Sequence, residues 1–119
     1  MSKHGSAVLE MLAAYKEAAL FSTTDDKGVP LDRKYSQDKI IASTNIKMIA
    51  DVIKFYTENA EDIGTRFEDA GRDFWLTRNR AGAGFWDGDW PEPQASRLTK
   101  AAHAFGGMDL SVARGKIYG

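Results

Sequence analysis

The chain has 119 residues, a length that suits one domain, and we expect residues 1–119 to share a single hydrophobic core. It contains no cysteine, which excludes a disulfide framework, a thiolate zinc site and a cysteine nucleophile and fits a reducing compartment. The formal net charge is −1 and no segment carries a strong excess of either sign, so the sequence lacks the basic footprint of a duplex-DNA-binding protein.

The first half of the chain is predicted to be mainly helical. Residues 6–21 place apolar side chains at three- and four-residue spacing, which predicts an amphipathic helix. Residues 22–36 contain an Asp-Asp-Lys-Gly turn and a Val-Pro step, which predict a loop. A longer helix is predicted for residues 43–62, and its wide apolar stripe, which includes Ile53, is typical of a central helix buried on more than one side.

A short helical turn and a β-hairpin are predicted next. The Thr-x-x-Glu pattern that begins at Thr65 indicates a capped helical turn, and Gly71 is expected to end it. Residues 73–79 and 83–87 are rich in aromatic residues that favour strands, and the segment NRAGAG at residues 79–84, with one Asn and two Gly residues, suits a turn near residues 80–82. We therefore predict an antiparallel hairpin over residues 73–87.

The rest of the chain predicts one more helix and a C-terminal strand. Residues 94–105 place apolar side chains on one helical face. Residues 109–118 alternate apolar and polar residues around a turn at Arg114 and Gly115, which indicates one or two short strands, one of them paired with the hairpin. The predicted fold class is α+β, with three main helices packed on a small antiparallel sheet that consists of the hairpin 73–87 and the C-terminal strand.

The predicted hairpin contains the residues that we expect to form a binding site. Because neighbouring strand residues point to opposite faces, Phe74 and Leu76 would face the core and Trp75 would face outward. Exposed aromatic side chains beside arginines are typical of protein-binding hot spots. The predicted binding residues are Trp75, Arg78, Arg80, Trp86, Asp87 and Trp90.

Two other interpretations of this segment remain open. The same aromatic and arginine residues suit a single-stranded nucleic-acid binder, which stacks bases on aromatic rings, although nucleic acid is not the favoured partner. A divalent cation bound by Asp73, Asp87 and Asp89 would instead indicate a small metal-dependent enzyme, although the segment lacks the full ligand pattern of a calcium loop. The chain has no Ser-His-Asp, zinc-ligand or phosphate-loop pattern, so no catalytic residue and no cofactor are predicted.

The motifs DFWLTRN at residues 73–79 and GAGFWD at residues 82–87 resemble those of a family of small bacteriophage proteins of uncharacterised activity. The similarity covers roughly residues 15–118 and includes the closing GKIY, while this chain has Arg80 and Ala81 where the family has a Gly-His pair. The resemblance implies a phage or prophage accessory gene that is expressed in the cytoplasm of a bacterial host.

This setting leads to an expectation about function. Small phage proteins without catalytic signatures often act by binding a host protein, which is an inference from analogy. We therefore expect a non-enzymatic interaction protein that binds and modulates a host factor, and inhibition of a host-defence complex such as a CRISPR effector is one form of that activity. A second copy of the chain is the other protein partner considered. Because no apolar run is long enough for a membrane span or a secretory signal, we expect a cytoplasmic location and no membrane partner.

Overall fold

Four α-helices and one two-stranded hairpin form the part of the chain that the structure, a computed structural model, describes: the backbone of residues 3–119 and the side chains of residues 5–119. The elements, in chain order, are α1 Lys3–Ser22, α2 Ala42–Ile63, α3 Phe67–Arg78, α4 Gln94–His103, β1 Ser111–Ala113 and β2 Lys116–Tyr118. Two 3-10 turns, Leu31–Arg33 and Gln37–Lys39, interrupt the connection between α1 and α2. The predicted α+β class is confirmed, with four helices in place of three.

The segment predicted to be a hairpin begins as a helix. Residues 73–78 belong to α3, so the predicted strand at 73–79 and the hairpin over 73–87 are wrong. Residues 79–92 then form turns and bends without a strand. Packing against the rest of the fold outweighs the strand preference of the aromatic residues, because β propensity depends strongly on context. The buried residues of α3 follow a helical spacing, and they include Ala70, Gly71, Phe74, Trp75 and Arg78.

Gly71 lies inside α3, and the prediction that it ends a helical turn is wrong. A Cβ atom at this position would lie 2.1 Å from the backbone oxygen of Met11 in α1. Glycine is therefore the residue that lets the backbones of α1 and α3 approach each other closely. This contact offsets the lower helix propensity of glycine, which costs about 1 kcal/mol relative to alanine.

Helix α2 begins and ends close to the predicted bounds. It is kinked at Asn59, which has φ −129° and whose side-chain amide donates to the carbonyl of Phe55 at 2.9 Å. The helix ends at Ile63, and the next residue, Gly64, has a positive φ of 62°, which glycine adopts readily. The prediction that Ile53 lies in the core is wrong, because Ile53 is 45% exposed while its neighbour Val52 is fully buried.

The C-terminal hairpin agrees with the prediction of short strands around Arg114 and Gly115. Strands β1 and β2 pair antiparallel, and the two turn residues have φ of 52° and 75°, as a two-residue hairpin turn requires. The predicted pairing with residues 73–87 is wrong, because β1 is the partner of β2. Ile117 of β2 is buried and forms a bridge with Ile40 just before α2, which places the hairpin at the start of that helix.

Aromatic rings fill the centre of the fold. They come from α2, from α3 and from the residues just after α3 and α4. The rings of Phe55 and Phe74 stack with centroids 4.1 Å apart, and Phe105 meets the Phe74 ring edge-on at 4.9 Å. Phe74 is fully buried, as predicted. In the described part of the chain, no helix combines the length and apolar character needed to cross a membrane.

Candidate functional site

The six predicted binding residues divide into three that are buried and three that are exposed. Trp75, Arg78 and Trp90 are only 2%, 6% and 4% exposed, so the prediction that they form a docking surface is wrong. Arg80 and Asp87 are exposed, and Trp86 is 53% exposed. The three buried residues make hydrogen bonds inside the protein, and only the three exposed residues can contact a partner.

Trp75 is buried because the alternation assumed for a strand does not apply to a helix. In α3 the side chains of Phe74 and Trp75 both point toward neighbouring elements. The indole Nε1–H of Trp75 donates to the Ser22 hydroxyl at the end of α1, at 2.8 Å. Its ring meets Tyr15 edge-on with centroids 5.3 Å apart. Trp75 thus joins α3 to α1 and has no free face for a partner.

Arg78 is a buried cation that connects three helices. Its Nη1 donates to the Asp51 carboxylate of α2 at 2.7 Å and to the Tyr15 hydroxyl of α1 at 3.0 Å. Its Nε donates to the carbonyl of Gly106, just after α4, at 2.8 Å. Burial raises the pKa of Tyr15 to about 12, although the charge of Arg78 acts in the opposite direction. The Nη2 of Arg78 also donates to the Phe105 carbonyl at 3.4 Å, so four hydrogen bonds inside the protein use the guanidinium fork.

Trp90 closes the loop that follows α3 by packing on the helix itself. Its Nε1–H donates to the Asp73 carboxylate at 2.7 Å, and the guanidinium of Arg66 lies 4.0 Å from its ring centroid. The ring also meets Phe85 edge-on at 5.3 Å. Burial raises the pKa of Asp73, while the hydrogen bond from Trp90 and the charge of Arg72 partly offset that effect.

The raised pKa of Asp73 predicts how stability depends on pH. Its contribution to folding is fully present below the pKa of the unfolded chain and is lost as pH rises through the folded-state pKa. Asp73→Asn removes that loss, because an amide does not ionise in this pH range. The amide oxygen can still accept the hydrogen bond from Trp90. We expect the free energy of unfolding of this variant, relative to wild type, to increase between about pH 3 and about pH 7 in urea titrations.

Asp62 provides the matched control for this measurement. A hydrogen bond from Arg97 lowers the pKa of Asp62, so its contribution is present above the unfolded-state pKa and is lost as pH falls. Asp62→Asn should therefore lose stability relative to wild type over the same rise in pH. Parallel curves for the two variants would contradict the assignment of Asp73 as a carboxyl whose ionised form is disfavoured by burial.

The exposed surface is formed by residues 84–90, which we call the tryptophan loop. Gly84, with φ 153°, passes so close to α3 that a Cβ atom would lie 2.1 Å from the Thr77 hydroxyl. That hydroxyl accepts from the backbone N–H of Phe85 at 3.1 Å, and the Asp87 carboxylate accepts from the N–H of Gly84 at 3.2 Å. Phe85 is fully buried. Trp86 therefore projects from a loop that is fixed on both sides.

The charge around Trp86 is negative. Asp87 and Asp89 follow it in the loop, Glu92 comes next, and the segment 84–92 contains no lysine or arginine. One cation contacts the loop from outside, since Arg66 donates to the Asp89 carbonyl at 2.9 Å. Arg80 lies in the turn after α3 with φ 52°, and it is exposed. Among the described residues, no three His, Asp or Glu side chains form a group that could bind a metal ion.

A second exposed surface was missed by the sequence analysis. Its large apolar side chains lie on α1 and α2, where Leu9, Ile46 and Ile53 are 60%, 66% and 45% exposed. The signal was present in the sequence, since the apolar stripe of α2 is wider than one core-facing side requires. The prediction that the whole stripe faces the core is wrong, because Ile46 and Ile53 face solvent.

The fold and site together define a small α+β protein in which four helices enclose an aromatic core, and a loop held to α3 at Phe85 and Trp90 presents a tryptophan. Comparison of the chain with protein-family models, with curated proteins and with solved structures finds no match.

Proposed function

We propose that the chain is a non-enzymatic interaction protein that binds and modulates a protein of a bacterial host, with Trp86 as its central contact. The observation that supports this function is the 53% exposure of Trp86 between two buried aromatic neighbours, Phe85 and Trp90. Tryptophan is among the residues that contribute most to protein–protein binding.

The rigidity of the tryptophan loop favours binding. Contacts of Gly84 and Phe85 with Thr77 fix one side, and the hydrogen bond from Trp90 to Asp73 fixes the other. An anchor that is already ordered in the free protein loses little conformational entropy when a partner covers it. Most of the free energy gained when a partner buries the Trp86 ring therefore contributes to affinity.

The loop's charge indicates the chemistry of the partner. Asp87 and Asp89 are exposed just after Trp86 in the loop, so the complementary surface is an apolar pocket with lysine or arginine on the side that meets these carboxylates. Single-stranded nucleic acid is a poorer fit, because that class of ligand needs a basic groove and several exposed rings. Trp75 and Trp90 are buried and do not supply those rings.

The resemblance to small bacteriophage proteins supplies the setting of the proposal. A phage or prophage product expressed in the host would meet host proteins in the cytoplasm, and inhibition of a host-defence complex, such as a CRISPR effector, is one form of the proposed activity. The metal-dependent alternative receives less support, because the Asp73 carboxylate already accepts from Trp90 and Asp87 already accepts from Gly84.

Photo-crosslinking in host cells tests this proposal. Benzoylphenylalanine replaces Trp86 in one variant and Phe21, which is 67% exposed on α1, in the control variant. We expect one host protein to be crosslinked from position 86 and not from position 21. Equal labelling from both positions, or no labelling from position 86, would contradict a binding surface at the tryptophan loop.

The identified partner then allows a quantitative prediction. Trp86→Ala should weaken binding by about 2 kcal/mol or more, which is about 30-fold in Kd, while the melting temperature changes little. Asp89→Lys should lower the association rate, because it places a positive charge opposite the basic rim of the partner. Phe21→Ala, as control, should bind like wild type. Unchanged affinity of Trp86→Ala by isothermal calorimetry would refute the role of this residue.

A further inference from the structure

The outer side of α2 carries an apolar stripe that the fold does not cover. Ile46, Ala50, Ile53 and Thr57 follow one another at spacings of four, three and four residues, and all four are exposed. This spacing places them on one side of the helix, as in the contact stripe of paired helices. Leu9 of α1, which is 60% exposed, widens the same apolar surface.

A groove lies beside this stripe, between α1 and the second half of α2. Its volume is about 660 Å³, and it is lined by Gly5, Val8, Leu9, Ile53, Tyr56, Thr57 and Ala60. The lining is almost entirely apolar. Ile46 lies outside the groove, two helical turns before Ile53, and is 66% exposed. One copy of the chain therefore presents both an apolar groove and an apolar projection on a single face.

The charges next to the stripe are arranged by sign along α2. Lys47 is exposed in the first part of the helix, and Glu58 and Glu61 are exposed in its last part. Lys54 lies just past the middle of the helix, with its ammonium nitrogen 5.5 Å from the Phe105 ring centroid. A second α2 that runs in the opposite direction would bring Lys47 of each helix toward Glu58 and Glu61 of the other. A second α2 that runs in the same direction would not bring these opposite charges together.

We infer that this face, formed by the stripe of α2, Leu9 and the groove, binds a second copy of the chain in a two-fold dimer. In such a dimer the same patch serves both copies, so Ile46 of each copy approaches the groove of the other. The antiparallel arrangement matches the order of charges in α2. The proposal concerns a surface separate from the tryptophan loop and does not depend on it.

The size of the face agrees with this occupant. The 22 residues of α2 extend over about 33 Å, and two packed helices are about 20 Å wide. The resulting face of roughly 650 Å² per copy is an upper bound, because α1 contacts α2 along only part of its length, and it lies below the ~800 Å² per partner of a standard specific interface. A reversible dimer is therefore expected, rather than one that persists at any dilution.

Analytical ultracentrifugation of the full chain from about 1 µM to about 1 mM, a range that covers weak dimers, measures the expected equilibrium. Ile46→Glu should raise the dimer dissociation constant at least about 30-fold, because it places a charge in an apolar interface. Trp86→Ala should leave the constant unchanged. A wild-type chain that remains monomeric over the whole range would overturn the proposal.

Charge reversal provides a test that is independent of the detailed register. The double variant Lys47→Glu with Lys54→Glu makes all four flanking charges negative, and Glu58→Lys with Glu61→Lys makes all four positive. We expect each variant alone to be monomeric and an equimolar mixture to form a heterodimer at least as stable as the wild-type dimer. Lys47 also donates to the Gly119 carbonyl at 3.1 Å, and the Lys54 ammonium group lies 5.5 Å from the Phe105 ring centroid, so urea unfolding first verifies that both variants fold. A mixture that remains monomeric would contradict the proposed pairing.

Discussion

Gly71→Ala is expected to destabilise the fold by about 3 kcal/mol, a large share of the ~5–15 kcal/mol that stabilises a domain. The added methyl group would lie 2.1 Å from the carbonyl oxygen of Met11. No rotation of a side chain relieves a contact with backbone, so α1 and α3 must move apart and lose packing along their whole interface. The better helix propensity of alanine returns only about 1 kcal/mol.

Urea unfolding followed by far-ultraviolet circular dichroism measures this effect. Gly107→Ala is the matched control, because a Cβ atom there would be 3.4 Å from the nearest atom, the Asn79 side-chain oxygen, which is an ordinary contact. We expect the control to change the free energy of unfolding by less than about 1 kcal/mol. Equal midpoints for Gly71→Ala and wild type would show that the two helices are not in close backbone contact.

Gly71 also illustrates why part of the fold could not be predicted from the sequence. Helices α1, α2 and α4 follow from the spacing of apolar residues within each segment, and the C-terminal hairpin follows from a turn at Arg114 and Gly115. The place of Gly71 depends on Met11, sixty residues earlier in the chain. A glycine that ends a helix and a glycine that admits a neighbouring helix look the same in one sequence.

The helical structure of residues 73–78 has a related cause. Phe74 and Trp75 favour strands by local preference, but Phe67, Ala70 and Phe74 also follow a helical spacing that we did not weigh against it. The aromatic core decides between the two, because α3 brings Phe74 onto the Phe55 ring at 4.1 Å. Such a long-range contact adds to stability without leaving a local pattern in the sequence.

Only part of the candidate site could be predicted, because the burial of Trp75, Arg78 and Trp90 depends on contacts with distant segments of the chain. Strand alternation placed Trp75 on an outer face, and the helix places it against Tyr15 and Ser22. Trp86 is exposed as expected, because the loop places it between two residues, Phe85 and Trp90, that turn inward. The polar partners of Arg78 come from α1, α2 and the end of α4, so no short motif could have revealed them.

Arg78→Ala is expected to cost about 3–5 kcal/mol, because it removes a buried arginine and the hydrogen bonds by which it joins three helices. The Arg78 side chain is 5% exposed, and its removal leaves the Asp51 carboxylate, the Tyr15 hydroxyl and the Gly106 carbonyl without their donor. Arg78→Lys should recover only part of this loss, because an ammonium group is a single point of charge and does not reproduce the planar fork.

The ion pair between Arg97 and Asp62 gives the comparison that decides the physical cause. Its Nη2 to Oδ1 distance of 2.6 Å is as short as that of the buried pair, but the arginine side chain is 55% exposed. Water screens such a pair, so Arg97→Ala should cost less than about 1 kcal/mol in the same urea titration. If the two alanine variants lose equal stability, burial does not control the strength of these contacts. If Arg78→Ala loses several kcal/mol and Arg97→Ala less than about 1 kcal/mol, the hydrogen bonds of the buried Arg78 stabilise the packing of α1, α2 and α3.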